Sequence, residues 1–146
     1  KEGFSILNES IGNLKNGECT MKDLEKYFSE TRGWGILSTA DSRGHVNSAI
    51  YARPHIMEDG TIAFIMANRL SHNNLESNSH AVYLFKEDGN QYKGKRLYLT
   101  KVREEEETEL LYSLKRRKYP PQQENSMKPL FLVFFRVDQE RPLIGS

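Results

Sequence analysis

The chain has 146 residues, of which 37% are hydrophobic and 28% charged, proportions typical of one soluble globular domain spanning residues 1–146. The formal net charge is +1 and no long apolar run occurs, so bulk properties favour neither a nucleic-acid-binding protein nor a membrane protein. Cys19 is the only cysteine, which excludes an intramolecular disulfide and a cysteine-based metal site within one chain and fits a reducing cytoplasm.

The first elements predicted are an arm and a helix. Residues 1–19 mix glycine, asparagine and serine with a weak apolar pattern, and we interpret them as an N-terminal arm. Residues 21–30 are predicted to form a helix, because Thr20 can cap it, Asp23 lies three positions on, and the apolar residues fall on one face. Such a helix would plug one end of a sheet structure.

Strand signals follow the helix. Residues 36–40 and residues 47–57 are rich in β-branched and aromatic side chains and are predicted strands. Residues 58–60 form an acidic turn whose Asp-Gly pair tolerates the positive φ of a tight hairpin. Residues 61–66 are predicted to return as the partner strand, so an antiparallel meander begins here.

A polar elbow comes next, at residues 68–74, where six of seven side chains are polar. We expect a short helix to begin after it, at Leu75. An elbow of this kind presents backbone N–H groups together with Arg69, Ser71 and His72, which is chemistry suited to holding a phosphate at a helix start. The alternative is purely structural: Ser71 caps the short helix and Arg69 is solvated.

The second half of the chain adds two strands and a helix. Residues 81–85 are nearly continuously apolar, as in a strand covered on both faces, and residues 95–102 alternate well enough to be a strand. A helix is expected to open at Arg103, because residues 104–107 are acidic and residues 115–118 are basic, which suits the helix dipole at both ends. We interpret both charge runs as solvated helix faces.

The C-terminal part is expected to close the structure. Residues 119–121 contain two prolines and stop the helix, and residues 122–128 read as a polar loop. Residues 131–137 are the most apolar segment and read as the closing strand of a barrel, or as a strand buried in a subunit interface. The predicted fold class is therefore mainly β, an antiparallel barrel with flanking helices.

The residues alone indicate no hydrolytic or metal chemistry. The four histidines, at positions 45, 55, 72 and 80, lack the i, i+4 spacing of a helical zinc pair, so we predict no metal site. Catalytic residues stay unassigned. Because no residue set here can move electrons by itself, redox chemistry would need a cofactor.

Three stretches, residues 35–56, 59–85 and 92–102, carry a family resemblance in their order and spacing. Together they resemble the FMN-binding split barrel of the pyridoxamine 5′-phosphate oxidase-like flavoproteins. The resemblance implies an antiparallel split barrel, FMN as cofactor, a homodimer with the flavin at the interface, and an oxidoreductase acting on a small molecule.

The resemblance also assigns cofactor-binding residues in this chain. It places a strand backbone along the flavin ring, a basic residue near flavin or substrate, a strand end under the ribityl chain, a phosphate loop, and a cation that reaches the cofactor across the dimer interface. In that order, these are Ser48, Ala49, Ile50 and Tyr51; Arg53; Ala67 and Asn68; Arg69, Ser71, His72 and Asn73; and Lys95, with Arg96 as its alternative.

Two departures from the family pattern affect the expected function. Many members have Ser-Arg-Lys or Ser-His-Lys in the phosphate loop, whereas this loop has Arg69 as its one permanent cation, so we expect weaker phosphate binding or added charge from Arg53 or Lys95. The pyridoxamine-phosphate oxidases themselves carry a longer C-terminal region with the arginine and histidine that grip the substrate phosphate. Vitamin B6 oxidation is therefore not favoured.

Other functions stay open on the sequence. The same barrel could bind haem, with His45 or His55 as the natural axial ligand. It could use a deazaflavin, or bind flavin without turnover. The physiological substrate and electron donor are not indicated by any motif.

Overall fold

A computed structural model describes residues 20–116 and 118–145, which form one seven-stranded antiparallel sheet with four helices around it. The predicted N-terminal arm, including Cys19, lies outside the described residues. The mainly β, antiparallel fold class is confirmed. In chain order the elements are α1 (Met21–Glu30), β1 (Gly33–Ala40), β2 (Val46–Tyr51), β3 (His55–Ile56), β4 (Ile62–Ala67), α2 (Leu70–Ser77), β5 (His80–Glu87), β6 (Gly94–Glu106), α3 (Glu109–Leu114), α4 (Pro121–Met127) and β7 (Leu130–Pro142).

The sheet has the strand order β2-β1-β5-β6-β7-β4-β3, with the long β6–β7 pair near its middle. Their register shifts after Tyr98 and again after Lys101, and such bulges bend a strand and increase its twist. The sheet therefore curls into a half-barrel, with β1, β2 and β5 on one side of the long β6–β7 pair and β3 and β4 on the other.

The core lies inside this curl and is largely aromatic. The ring centroid of Phe64 is 4.9 Å from that of Tyr83 and 5.9 Å from that of Phe135, so β4, β5 and β7 meet there. Helix α1 closes one end through Phe28, whose ring makes an edge contact with Phe85 at 5.2 Å. Leu24 of the same helix is fully buried.

The prediction for α1 is confirmed in its details. Thr20 accepts a hydrogen bond from the Asp23 backbone N–H at 3.2 Å, and the Asp23 carboxylate accepts one from the Thr20 backbone at 3.0 Å. This reciprocal capping box satisfies two of the backbone donors that a helix start leaves free.

The strand predicted over residues 47–57 is divided in two, which corrects the prediction. The pairing of β2 with β1 ends at Tyr51, and β3 consists only of His55–Ile56. Residues 52–54 instead carry the chain from one edge of the sheet to the other, since β2 and β3 are its two edge strands. Four Cα steps span at most about 14 Å, so the two edges are close together at this point.

The prediction that a helix begins at Arg103 is wrong. Residues 103–106 extend β6 and pair with β7, and the helix α3 begins only at Glu109, capped by Thr108. Two tertiary contacts override the helix signal of the glutamate run: β7 offers a backbone partner along the full length of β6, and the Arg103 guanidinium lies 3.6 Å from the Phe134 ring centroid.

The prediction of a polar loop over residues 122–128 is also wrong, because residues 121–127 form the helix α4. Pro121 begins this helix, where its missing N–H costs no hydrogen bond. Glu124 ties α4 to the preceding segment, since its carboxylate accepts from Lys115 Nζ at 2.5 Å and from the Tyr119 backbone at 2.9 Å. The basic run consequently lies between two helices, with Arg117 outside the described residues.

The apolar segment at residues 131–137 is a strand, as predicted, within β7. It pairs with β6 on one side and β4 on the other, and Leu130 to Phe135 are all buried within this chain.

Candidate functional site

A cavity of about 360 Å³ opens where the two sheet edges meet. Its walls come from the end of β2, the crossover at residues 52–54, the start of β3, strand β4, and the segment joining α3 to α4. The lining residues are Ile50, Tyr51, Ala52, Arg53, His55, Phe64, Ile65, Ala67, Lys115, Arg116, Tyr119, Met127 and Leu130.

Helix α2 begins beside this cavity, five residues earlier than predicted. It starts at Leu70 rather than Leu75, and the Asn73 backbone N–H donates to Arg69 O at 3.0 Å, so most of the polar elbow is the first turn of the helix. Arg69 is the N-cap residue and makes no side-chain capping bond. In the structural alternative, the cap at Ser71 is wrong because Ser71 is the second residue of the helix, whereas Arg69 is exposed, as that alternative expected.

The start of α2 reaches the cavity through Tyr51 and Ala67, which line it. Asn47 Nδ2 donates to Ser71 Oγ at 3.4 Å, and the Arg69 backbone N–H donates to Ala67 O at 2.8 Å. Burial raises the pKa of Tyr51, while the Ser71 hydroxyl and the Arg69 charge act in the opposite direction. The Arg69 and Ser71 side chains therefore lie near the Tyr51 phenol. Neither is among the residues that line the cavity, since Arg69 is exposed and Ser71 is buried.

The other elbow residues face elsewhere. Asn68 and Asn73 are exposed, whereas His72 is only 2% exposed and is turned into the protein. Its Nε2 lies 2.9 Å from Glu104 Oε1, and its ring stacks on Phe131 with centroids 3.8 Å apart. His72 does not line the cavity.

The strand predicted to run along the flavin ring is β2, whose side chains alternate between the two faces of the sheet. Tyr51 lines the cavity from the inner face. Ser48 and Ile50 lie on the outer face, where the Ser48 hydroxyl is 2.8 Å from that of Ser38 and the exposed Ile50 lines the mouth of the cavity. Ala49 is half-buried and outside the lining set.

The end of β2 is held in place by Tyr83. The Tyr83 hydroxyl donates to Tyr51 O at 3.1 Å and passes over the backbone of Gly35, where there is no side chain. A Cβ at position 35 would lie 2.1 Å from that hydroxyl, so Gly35 is required for the contact.

Arg53 and Arg116 place two guanidinium groups at the opposite end of the cavity. Arg53 Nη1 donates to Phe28 O at 2.7 Å and to Thr31 O at 3.1 Å, which also satisfies the C-terminal end of α1. Arg116 Nη1 donates to Arg53 O at 2.9 Å. Burial and the nearby Arg53 charge lower the pKa of Arg116.

His55 completes this end as a neutral side chain. Burial and the Arg116 charge lower the pKa of His55 to about 4, so its Nδ1, 3.4 Å from Arg116 Nη2, can accept a hydrogen bond. No carboxylate is among the residues that line the cavity, and within the described chain neither Arg53 nor Arg116 forms an ion pair. The two charges at this end are thus without an anionic partner.

Lys95 lies away from the cavity within its own chain. Its Nζ is 2.5 Å from Glu140 Oε2 and 4.6 Å from the Tyr27 ring centroid. The role assigned to Lys95, across a dimer interface, stays a prediction, as does the assignment of the remaining residues to FMN.

No protein-family model matches the sequence, and no curated protein matches it either. Solved structures do. An FMN-binding protein from Syntrophomonas wolfei has a TM-score of 0.64 at 17% identity, covering 99% of this chain and 94% of that one. A candidate pyridoxamine 5′-phosphate oxidase from Lactobacillus delbrueckii has a TM-score of 0.61 at 12% identity, covering 88% and 97%. This chain has the split-barrel fold of the pyridoxamine 5′-phosphate oxidase-like proteins.

Split barrels of this kind do not all hold the same cofactor. A haem-binding protein from Mycobacterium smegmatis is also similar in structure, with a TM-score of 0.54 at 13% identity, covering 86% of this chain and 54% of that one. Of the two histidines considered for haem, His55 lines the cavity, whereas His45 is in an exposed turn 3.1 Å from Asp41. The similarity in structure thus establishes the fold and does not identify the cofactor.

Sequence reasoning missed Lys115, Arg116 and Tyr119 as part of this split-barrel site. The sequence predicts the basic run to be a solvated helix end, because the predicted helix continues to it. The two prolines that follow were the available signal: they require a non-helical segment, and such a segment can turn a basic side chain inward.

Residues 20–116 and 118–145 contain no group of three His, Cys, Asp or Glu side chains that could hold a metal ion. In the same residues, no helix is long and apolar enough to cross a membrane.

Proposed function

We propose that this split barrel binds FMN in the cavity, with the ring against Ile50 and Tyr51 and the phosphate at the start of α2. The observation that carries the proposal is the continuity between the apolar lining and the α2 N-terminus through Tyr51 and Ala67. A helix start offers free N–H groups and a favourable dipole to a phosphate, and Arg69 adds a charge. The residues present therefore fit an apolar ring system bearing an anionic tail.

The proposed activity is oxidoreduction of a small molecule that carries an anionic group. FMN, when bound, supplies the capacity to accept and pass electrons. The Arg53 and Arg116 guanidinium groups would bind the anion, since no carboxylate in the cavity lining competes for them. Neutral His55 would offer a hydrogen-bond acceptor beside them.

The proposed assembly is a homodimer, with a cytoplasmic location. Trp34, Val46 and Ile50 are 45%, 80% and 77% exposed, so the outer face of β1 and β2 carries three uncovered apolar side chains around the Ser38–Ser48 pair in a single chain. Large exposed apolar patches mark interaction surfaces. A second copy covering this face would also enclose the cavity beside Ile50 and bring Lys95 of that copy to the cofactor.

The test is titration of the purified protein with FMN, followed by absorbance and by quenching of flavin fluorescence. The proposal expects saturable binding and a yellow protein that sediments as a dimer. Haem titration that gives a Soret band without any FMN binding would replace flavin by haem, with His55 as the axial ligand to test. Tight binding of a deazaflavin in place of FMN would likewise reassign the cofactor. FMN binding without electron transfer to any acceptor would make the protein a flavin-binding module.

A further inference from the structure

Helix α2 packs Leu75 into the hydrophobic core and, beside it, buries three polar side chains that are hydrogen-bonded. The buried polar side chains of the described residues are Thr39, Ser71, His72 and Asn74, and all of them lie where α2 meets the sheet. Asn74 Nδ2 donates to Thr39 Oγ1 at 3.1 Å, in addition to the Ser71 and His72 contacts above. Hydrogen bonds are directional, so this interface fixes the rotation of the helix about its own axis as well as its distance from the sheet.

His72 is the least exposed of these polar residues, at 2%. Glu104 Oε1 lies 2.9 Å from His72 Nε2 and also accepts from Lys101 Nζ at 2.7 Å. Burial alone would raise the pKa of Glu104, but the bonds from Lys101 and His72 lower it, so the carboxylate is charged at neutral pH. An anionic acceptor makes a hydrogen bond stronger than a neutral one does.

The imidazole is also fixed in orientation. Its ring plane lies 13° from that of Phe131, and no other atom in the described chain bonds to Nδ1. Ser71 precedes His72 in the helix, and successive helical residues point about 100° apart. When His72 is held by Glu104, Ser71 and the free N–H groups of the first turn are held in a fixed direction too.

We propose that His72 is a positioning residue, which acts through α2 on the phosphate end of the cofactor site and depends on Glu104 of β6 for its effect. The inference rests on the proposed function, namely that FMN places its phosphate at the start of α2. It differs from direct recognition, in which the imidazole itself would touch the phosphate. It also assigns a binding role to Glu104, an acidic residue that no anionic ligand could contact favourably.

Three variants separate positioning from contact. Glu104→Met removes the acceptor at similar length. His72→Leu removes the donor, whereas His72→Gln keeps an N–H near the Nε2 position. Glu105→Met is the matched control, because Glu105 bonds to Arg103 and Thr108 rather than to α2. FMN and riboflavin dissociation constants are measured for each by fluorescence quenching, and folding is checked by thermal melts.

Mutations that act through an intervening element change binding by about three- to thirtyfold. We expect FMN binding to weaken by that factor in Glu104→Met and in His72→Leu, and no further in the double variant, because the two residues act as one unit. Riboflavin binding should change less than twofold. His72→Gln and Glu105→Met should bind FMN within about threefold of wild type.

Wild-type FMN affinity in Glu104→Met would overturn the proposal, and equal loss of FMN and riboflavin binding in that variant would overturn it too. If His72→Leu alone fails to fold, Glu104→Met decides the matter by itself. Failure of the wild-type protein to bind FMN at all would remove the proposed function and this inference with it, which is a distinguishable result.

Discussion

Helices α1 and α2 both pack on the sheet, but the side chains that they bury differ in chemistry. Helix α1 buries Leu24 and Phe28 among aromatic core residues. Helix α2 places only Leu75 in that core; it also buries Ser71, His72 and Asn74, whose side chains are hydrogen-bonded to side chains from separate strands. Apolar packing contributes stability with little directional demand, whereas buried hydrogen bonds require one orientation. The difference teaches that α1 is built to stabilise the barrel and α2 to present its N-terminus.

The largest expected loss of stability is that of Phe28→Ala, which tests whether α1 stabilises the barrel. Phe28 is 4% exposed and its ring contacts Tyr27, Tyr83 and Phe85. Truncation of a buried phenylalanine costs about 3–5 kcal/mol in unfolding free energy. Urea unfolding should show this loss, while the ratio of riboflavin to FMN dissociation constants stays at the wild-type value at temperatures where the variant is folded. A changed ratio would mean that α1 also orients the cofactor.

A smaller loss is expected at the polar interface of α2. Asn74→Ala leaves the buried Thr39 hydroxyl without its partner, which costs about 1–3 kcal/mol. The double variant Thr39→Val with Asn74→Leu removes both polar groups and should recover most of that stability in the same urea experiment. Because it also removes the directional bond, FMN binding should stay weakened. Recovery of both properties together would contradict the distinction between the two helices.

The smallest effect concerns pH and His55. The pKa of His55 is lowered from 6.5 to about 4, so the unfolded chain binds a proton more readily than the folded one between these values. Unfolding free energy should therefore fall as pH decreases from 6.5 to 4, by on the order of 1 kcal/mol after allowance for solvent screening at a partly exposed ring. Stability measured against pH should be flatter over this range in His55→Gln. An unchanged slope would place the proton uptake at another group.

Much of the fold was accessible from the sequence, because periodicity and turn chemistry are local. The capping box at Thr20 and Asp23 and the Asp-Gly turn before β4, where Gly60 has φ of 88°, occur as predicted. What failed depends on tertiary pairing: residues 103–106 are helix-forming in composition but extend β6 because β7 lies alongside. Local signals could not report that Arg103 and Glu106 have their strand partners at Phe134 and Phe131.

The site was accessible to a lesser degree for the same reason. The sequence drew attention to Ile50, Tyr51, Arg53 and Ala67, and the structure places these four around one cavity. It could not show that His72 turns inward to Glu104 or that Arg116 turns toward Arg53, since both orientations depend on residues distant in sequence. Which face of α2 meets the sheet is decided by bonds to residues 32 and 35 positions away.

The most direct measurement on the site is the FMN and riboflavin affinity of Arg69→Ala beside that of wild type, with exposed Arg43→Ala as the matched control. A hydrogen bond to a charged partner contributes about 1.5–3 kcal/mol, which is about ten- to a hundredfold in the dissociation constant. We expect Arg69→Ala to weaken FMN binding by that factor and to leave riboflavin, which has no phosphate, unchanged. Arg43→Ala should bind both as wild type does. Equal weakening of both ligands in Arg69→Ala, or undiminished FMN binding, would show that the phosphate is held away from α2.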